Sequence, residues 1–335
     1  MKISIVIPIY NVEDCILNCL QSVVTQKKTE NDIECILVDD CGKDKSVAIV
    51  NDFIKKYAGD IEFKIISHDK NRGLSGARNT GMQNCTGDYV LFLDSDDTLP
   101  NDSIYNLSQP LKSYSYDFVI GEVRTTGVVC QAPPLLLDEG AYCGSDVVRK
   151  TYIERLWYMM AWNKLCNLEF LKTHNIFFQE GLIHEDDMWS FILSMNANSF
   201  YVVKKDTYNY MVRTGSITTD KKHAVHIEAY LTIANNIAEY IKKYGLDTSY
   251  ILFSHKYILG TYVYLRNLTF LKGYRYYKKI IANKIYHYYY KELLLEESSR
   301  FLFKVKLAHY PKLLGYIIFR VSFLITEMKK GKINR

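Results

Sequence analysis

What most constrains this chain is how its first hundred residues switch between two periods. Apolar-rich blocks at 3–7, 33–38, 63–66 and 89–93, the last uninterrupted and the others broken only by Ser4, Glu34 and Lys64, alternate with segments near 16–24, 46–57 and 73–84, where Ile16, Leu17, Leu20, Val23 and Val24 show the helical spacing. Continuous apolar runs of about four to eight residues suit strands covered on both faces, and strand–helix–strand alternation folds into a parallel sheet with right-handed crossovers. The expected fold class is α/β, a doubly wound, mostly parallel, Rossmann-like sheet. Pro8 should end the first strand, since it cannot donate to a ladder.

In such a sheet, ligands bind beyond the carboxyl ends of the strands. Three expected strand ends carry polar or acidic residues: Tyr10-Asn11, Asp39-Asp40 and Asp94-Ser95-Asp96-Asp97. Carboxylates as crowded as those at 94–97 repel unless a cation or donor groups hold them, and a hard divalent ion, Mg²⁺ or Mn²⁺, satisfies them economically. The competing reading is an acidic turn capping a helix that starts near Asn101. A second acidic knot, His184-Glu185-Asp186-Asp187, precedes a helix expected at 190–197. Carboxylates in a first helical turn are favoured by the helix dipole, and the same knot supplies a candidate general base.

Between the third and fourth strands, Asn71-Arg72-Gly73-Leu74-Ser75-Gly76-Ala77-Arg78-Asn79-Thr80-Gly81 lacks the Lys-Ser/Thr of a phosphate loop and the Gly-x-Gly-x-x-Gly of a dinucleotide fold. Its glycines, with Arg72 and Arg78, would either present N–H groups and cations to an anion or make a tight helix entry. Further strands are expected at 117–120, 122–129 and 200–203, with a loop at Pro133-Pro134. A loop over 208–217 would let Arg213 and nearby hydroxyls close over a diphosphate.

Past residue 222 the pattern is helical throughout. Net charge is +5, yet residues 271–335 hold fifteen Lys/Arg against four Asp/Glu, a balance of +11 that leaves −6 for the rest. The basic character is therefore local, and it points to an acidic partner surface for the tail alone. Tyr and Lys interleave there without the repeated spacing of a nucleic-acid groove, so helix packing is expected and nucleic acid is not. No uninterrupted apolar stretch reaches the ~20 residues of a membrane span. Residues 313–328, flanked by Lys304, Lys306, Lys312 and Lys329-Lys330, instead read as an interfacial helix on an anionic leaflet, or as a buried helix with a basic tail. Eight cysteines include no Cys-x-x-Cys pair and read as reduced packing residues of a cytoplasmic protein. His223 and His226, three apart on a helix, are expected to be structural.

Taken together, Ile-Val-Ile-Pro-x-Tyr-Asn at 5–11, Val-Asp-Asp at 38–40, Asn-x-Gly-x-x-x-Ala-Arg-Asn-x-Gly at 71–81, Asp-Ser-Asp-Asp at 94–97 and Glu-Asp at 185–186 resemble glycosyltransferase family 2, the inverting nucleotide-sugar transferases of GT-A fold. The likeness covers roughly residues 3–217. It implies a catalytic domain over 1–220 and a helical, Tyr-rich, basic region over 221–335. It implies that Pro8, Tyr10 and Asp40 hold a nucleotide base, with Asp40 accepting from a uracil N–H and Asp39 and Arg72 lining the pocket. Asp94, with Ser95, would lie near the ribose, and Asp96 would coordinate Mn²⁺ or Mg²⁺ at the diphosphate. Asp186 would be the base, with Glu185 second and Asp187 a further contender. The implied reaction is single displacement from a UDP-sugar to a saccharide or lipid-linked saccharide acceptor in surface polysaccharide synthesis, peripheral to the inner face of the plasma membrane. A nucleotidyltransferase would share sheet and metal aspartates, but usually shows a Gly-rich signature with Lys after the first strand, where this chain has Pro8-Ile9-Tyr10-Asn11. A non-catalytic membrane-associated scaffold of the same fold is the third reading.

Overall fold

In a computed structural model, strands β1 (Lys2–Ile9), β2 (Asp32–Asp39), β3 (Glu62–Ser67) and β4 (Tyr89–Phe92) run parallel in the order β3-β2-β1-β4. The structure describes residues 1–127, 134–212, 223–247, 250–283, 285, 303, 306–307 and 310–329. The strand order reverses between β1 and β4, which opens a crevice beyond their carboxyl ends. Ile3, Ile5, Val6, Ile7, Val90, Leu91 and Phe92 are fully buried, as the continuous apolar runs require of strands covered on both faces. Helix α1 (Ile16–Val24) covers one region of the sheet with Ile16, Cys19, Leu20 and Val23; burying each of the large aliphatic side chains contributes about 1.5–3 kcal/mol. Helices α2 (Ser46–Lys56) and α3 (Gly73–Gln83) complete the alternation.

Pro8 lies inside β1, paired with Val38, and does not end the strand. Val6 O accepts from Leu93 N toward β4, whereas Ile9 O accepts from Asp40 N toward β2. By that alternation Pro8 faces the β4 side, two residues beyond the last β1–β4 pair, Val6 with Phe92, so its missing N–H interrupts no ladder.

The sheet continues as β7-β5-β8-β6. The two strands expected at 117–120 and 122–129 are one strand, β5 (Phe118–Gly127), with a register shift at Gly121/Glu122 where a break was expected. Pro134 is non-strand loop, and Pro133 lies outside the described residues. The expected strand at 200–203 is the start of β8 (Ser199–Val212), so Tyr208 to Met211 are strand rather than loop. Two short strands, β6 (Gly140–Cys143) and β7 (Lys164–Asn167), carry no legible period; β7 runs antiparallel between β4 and β5. Helices α4 (Ser103–Ser108), α5 (Ser145–Ile153), α6 (Leu168–Thr173) and α7 (Glu185–Asn196) complete this part.

The chain divides into two compact units, Met1–Ser216 and Ile217–Arg335. In the second, α8 (His223–Lys243), α9 (Tyr250–Leu265), α10 (Phe270–Ile281) and α11 (Lys312–Lys329) are described. His226 is buried and stacks on Tyr264 at 4.6 Å. Arg320, in the middle of α11, donates to the carbonyls of Arg266 and Leu268 at 3.0 Å, just past the end of α9. Tyr316 and Phe319 pack inward, whereas Leu313, Leu314, Ile317, Val321, Leu324 and Ile325 stay 40–49% exposed. No helix among the described residues is long and apolar enough to cross a membrane. Cys19, Cys35, Cys85 and Cys166 are buried packing residues, whereas Cys41 and Cys143 are exposed.

Candidate active site

β4 delivers its acidic segment by ending early. Leu93 N still bonds Val6 O, and Asp97 N then closes a turn on Asp94 O at 3.0 Å. The helix-cap reading of this segment does not hold: α4 starts at Ser103, with Asp102 in front of it. Carboxylate oxygens of Asp94, Asp96 and Asp97 lie within 4.8 Å of one another. Asp97 accepts from Tyr208 Oη at 2.8 Å and from Met211 N at 2.7 Å, which latches the far end of β8 to the turn. Burial, with Asp94 and Asp96 adding repulsion, pushes the Asp97 carboxyl up to about 8. Clustered anionic oxygens of this kind are the donor set that a hard divalent cation takes, so the residues fit Mg²⁺ or Mn²⁺.

The centre of the site is Arg78, which the sequence reading offered to an anionic ligand. It is 1% exposed in its side chain and already engaged. Its Nη2 donates to Asp94 Oδ1 at 2.7 Å, and its Nη1 to Glu185 Oε1 at 2.9 Å and Asp186 Oδ1 at 2.6 Å. The two acidic clusters, ninety residues apart in sequence, therefore meet on one guanidinium. Its placement follows from α3: Gly76, Ala77 and Gly81 are small, and a Cβ on Gly81 would stand 2.3 Å from Val6 Cγ1 of β1. The helix can thus lie close to the sheet and hold Arg78 at the strand ends. Asn79 fastens the next wall, bonding both N and O of Phe178 at 2.8 Å, and the Arg78 guanidinium lies 5.2 Å over the Phe178 ring. Phe178 stacks on Trp189 of α7 at 5.0 Å, and Phe92 meets both edge-on.

α7 begins at the acidic knot, earlier than the expected residue 190, because His184 adopts φ 61° in front of it. The left-handed turn sets Glu185, Asp186 and Asp187 in the first helical turn. Burial and the neighbouring Asp186 push the Glu185 carboxyl up to about 7 against the pull of Arg78, and burial likewise raises Asp186. Asp186 is the more open of these two, 17% exposed against 9% for Glu185.

At the end of β2, Asp40 is 2% exposed. Its carboxylate accepts from Arg72 N at 2.7 Å and Gly73 N at 2.8 Å, so it caps the start of α3. His68 lies between Asp40 and Thr80, with Nδ1 2.7 Å from Asp40 Oδ1 and Nε2 2.8 Å from Thr80 Oγ1. Arg72, expected in the nucleotide pocket, makes a bidentate pair with Glu180 at 2.5 and 3.3 Å and reaches Thr80 Oγ1. Asp39 accepts from Gly42 N at 3.2 Å. Pro8 and Ser95 are buried, and Tyr10 stands 48% exposed at the end of β1. Arg213 lies outside the described residues. Sequence reading missed His68, Glu180 and Tyr208, whose partners lie 12 to 114 residues away and leave no local spacing; for Arg78, a lone cation among small helical residues was the available signal.

The chain is similar to several known proteins. It is 30% identical over 223 residues to the uncharacterized glycosyltransferase YibD of Escherichia coli (strain K12), covering 65% of this chain and 63% of the relative. It is 32% identical over 218 residues to a poly(ribitol-phosphate) beta-glucosyltransferase of Bacillus spizizenii, covering 64% of this chain and 32% of that protein. The chain thus spans from about two thirds down to a third of these relatives. Among solved structures, Staphylococcus aureus TarS 1–349 in complex with UDP superposes with TM-score 0.75 at 21% identity, covering 100% of this chain and 93% of the other, which establishes a shared fold. The sequence model described as glycosyl transferase family 2 matches residues 4–172, just over half of the chain, and the protein belongs to that family.

Proposed function

We propose that this protein is an inverting glycosyltransferase that moves a sugar from a nucleotide-diphosphate sugar, a UDP-sugar by this reading, to a hydroxyl of a saccharide acceptor. The observation that carries it is the shared guanidinium: Arg78 holds Asp94 of the proposed donor side and Asp186 of the proposed acceptor side at 2.7 and 2.6 Å. Displacing a nucleoside diphosphate from an anomeric carbon passes through an oxocarbenium-like state, so the leaving group needs neutralising and the incoming hydroxyl needs a base. Asp186 is the proposed base, being the more open of the pair, with Glu185 beside it. Asp96 is the proposed ligand for Mn²⁺ or Mg²⁺, with Asp94 and Asp97 at hand; the ion, when bound, would neutralise charge on the departing diphosphate.

The nucleotide base would lie between Pro8 and Tyr10 on one side and Asp39, Asp40 and Arg72 on the other, with Asp94 and Ser95 toward the ribose. Asp40 spends three acceptor positions within the protein and keeps one on Oδ2, enough for a single N–H such as that of uracil. Arg213 is proposed to meet the diphosphate. UDP in the TarS complex and the polyol-phosphate acceptor in the Bacillus spizizenii relative's name support a UDP-sugar donor and a surface-polymer acceptor. One carboxylate base and one displacement would turn an α-linked donor into a β-linked product.

The outward apolar stripe of α11, flanked by Lys312 and Lys329, supports peripheral attachment to an anionic leaflet at the cytoplasmic face. Flotation with phosphatidylglycerol vesicles but not neutral ones is the expected result. For the chemistry, nucleotide sugars are screened with and without Mn²⁺ for thermal stabilisation and nucleoside diphosphate release. A ligand at ~100 times its dissociation constant adds about 2.7 kcal/mol of stability. Metal-dependent stabilisation by one donor class is expected; no shift with any nucleotide sugar would overturn the reading.

A further inference from the structure

His68 follows directly on β3, the edge strand, and the roles above leave it unused. Its backbone N–H donates to Asp39 O at 2.9 Å, one step past the last β2–β3 pair, which anchors it beside the end of β2. The side chain is 5% exposed and both ring nitrogens are engaged: Nδ1 lies 2.7 Å from Asp40 Oδ1, and Nε2 lies 2.8 Å from Thr80 Oγ1 of α3. A carboxylate offers only acceptors, so Nδ1 carries the proton toward Asp40. Thr80 Oγ1 accepts from Arg72 Nη1 at 3.2 Å and can give its own proton to Nε2. Arg72 is held in turn by both carboxylate oxygens of Glu180. Donors therefore run in one direction, from Arg72 to Thr80 to His68, and end on Asp40 Oδ1. An apolar side chain would fill the same space without burying two ring nitrogens, so the imidazole requires a reason.

The acceptor positions of Asp40 supply that reason. A carboxylate has about four, two on each oxygen. The main-chain N–H groups of Arg72 and Gly73 take one on Oδ1 and one on Oδ2, and by themselves would leave one open on each oxygen. His68 fills the second position on Oδ1, so that among the described residues only Oδ2 keeps room for a donor. We propose that His68 is a positioning and specificity-determining residue for the nucleobase: by closing Oδ1 it reduces Asp40 to a single acceptor, which suits a base with one ring N–H, such as uracil, and rejects one without it. The inference rests on the UDP-sugar reading above. Cytosine carries an acceptor at the ring position where uracil carries N3–H, and two acceptors facing one another repel. Without His68 the vacated position draws in water or lets the carboxylate turn, and the base loses a fixed partner.

The test titrates the full chain, in excess Mn²⁺, with UDP and with N3-methyl-UDP, which lacks the ring N–H, and follows binding by calorimetry. Wild type is expected to favour UDP by about 10-fold or more, since a site built around an N–H discriminates against an analogue that lacks it. In His68→Leu that ratio should shrink by about fivefold or more. His68→Asn, which places an amide N–H near the position of Nδ1, should keep it within about twofold. Should Leu prevent folding, Thr80→Val removes the partner of Nε2 at constant shape and is expected to narrow the ratio by about threefold. A folded His68→Leu or Thr80→Val chain with the wild-type ratio would overturn the proposal, and so would an equal loss of affinity for both nucleotides, which marks support of the fold alone. A wild-type chain that binds neither nucleotide, or both equally, would overturn the uracil reading of Asp40 and the role of His68 with it.

Discussion

Replacing Arg78 by Met removes the guanidinium that joins both halves of the site and leaves a side chain of comparable length. Three carboxylate oxygens lie 2.6–2.9 Å from its Nη atoms, and its side chain is 1% exposed. At an effective dielectric of about 20, unit charges about 4 Å apart attract by roughly 4 kcal/mol, and desolvation offsets much of this. Removing one partner of a buried ion cluster still costs about 3–5 kcal/mol, because the carboxylates stay behind. For a unit of this size that corresponds to roughly 10 °C in Tm. The loss must also depend on pH with a definite sign. Burial and Asp186 already raise Glu185 to about 7, above the ordinary carboxyl value. A carboxyl raised in the folded state binds an extra proton there, so its burden on stability is full above about pH 7 and lifts as pH falls toward 4.5. Without Arg78 the carboxyls titrate higher still, so Arg78→Met should be markedly less stable than wild type at pH 8 and closer to it at pH 5.5. Thermal melts followed by circular dichroism at both pH values measure this. A variant within about 2 °C of wild type at pH 8, or one with the same deficit at both pH values, would refute the hub.

Two further outcomes follow from the scaffold. Glu34, near the opposite end of the sheet, is buried; burial alone would raise its carboxyl, but Lys2 at 2.8 Å with Ser4 and Thr86 draws it down to about 2. A depressed carboxyl stabilises above its unfolded pKa near 4.5 and loses that contribution as pH falls toward 2. After discounting for solvent around Lys2, Glu34→Gln should cost about 1–2 kcal/mol at pH 7 and flatten the fall in urea midpoint between pH 4.5 and 2.5. Gly81→Ala should cost about 1–3 kcal/mol, because its methyl group would meet Val6 on the central strand at 2.3 Å; a lowered urea midpoint with an unchanged m-value checks it.

The parallel half of the sheet was legible because both of its signals are local: apolar runs such as 89–93, and helical spacing such as Ile16, Leu20 and Val23. The second half was less so. β7 is four residues long, Lys164 to Asn167, and its burial between β4 and β5 comes from partners distant in sequence. β8 was read short because Lys204, Lys205 and Asp206 break its apolar run although the strand continues through them. The candidate acids at 94–97 and 184–187 could be found because such crowding is conspicuous in a sequence. The groups that hold them could not: Arg78 read equally well as an anion binder, and its three partners lie 16, 107 and 108 residues away.

Titrating the Asp186→Asn chain with the nucleotide sugar that stabilises wild type, alongside a transfer assay with the same donor, tests the central claim most directly. If Asp186 deprotonates the acceptor while the residue 94–97 carboxylates serve the donor, affinity for the sugar nucleotide should stay within about threefold and transfer should fall by about 10²-fold or more. Undiminished transfer by Asp186→Asn would contradict the account.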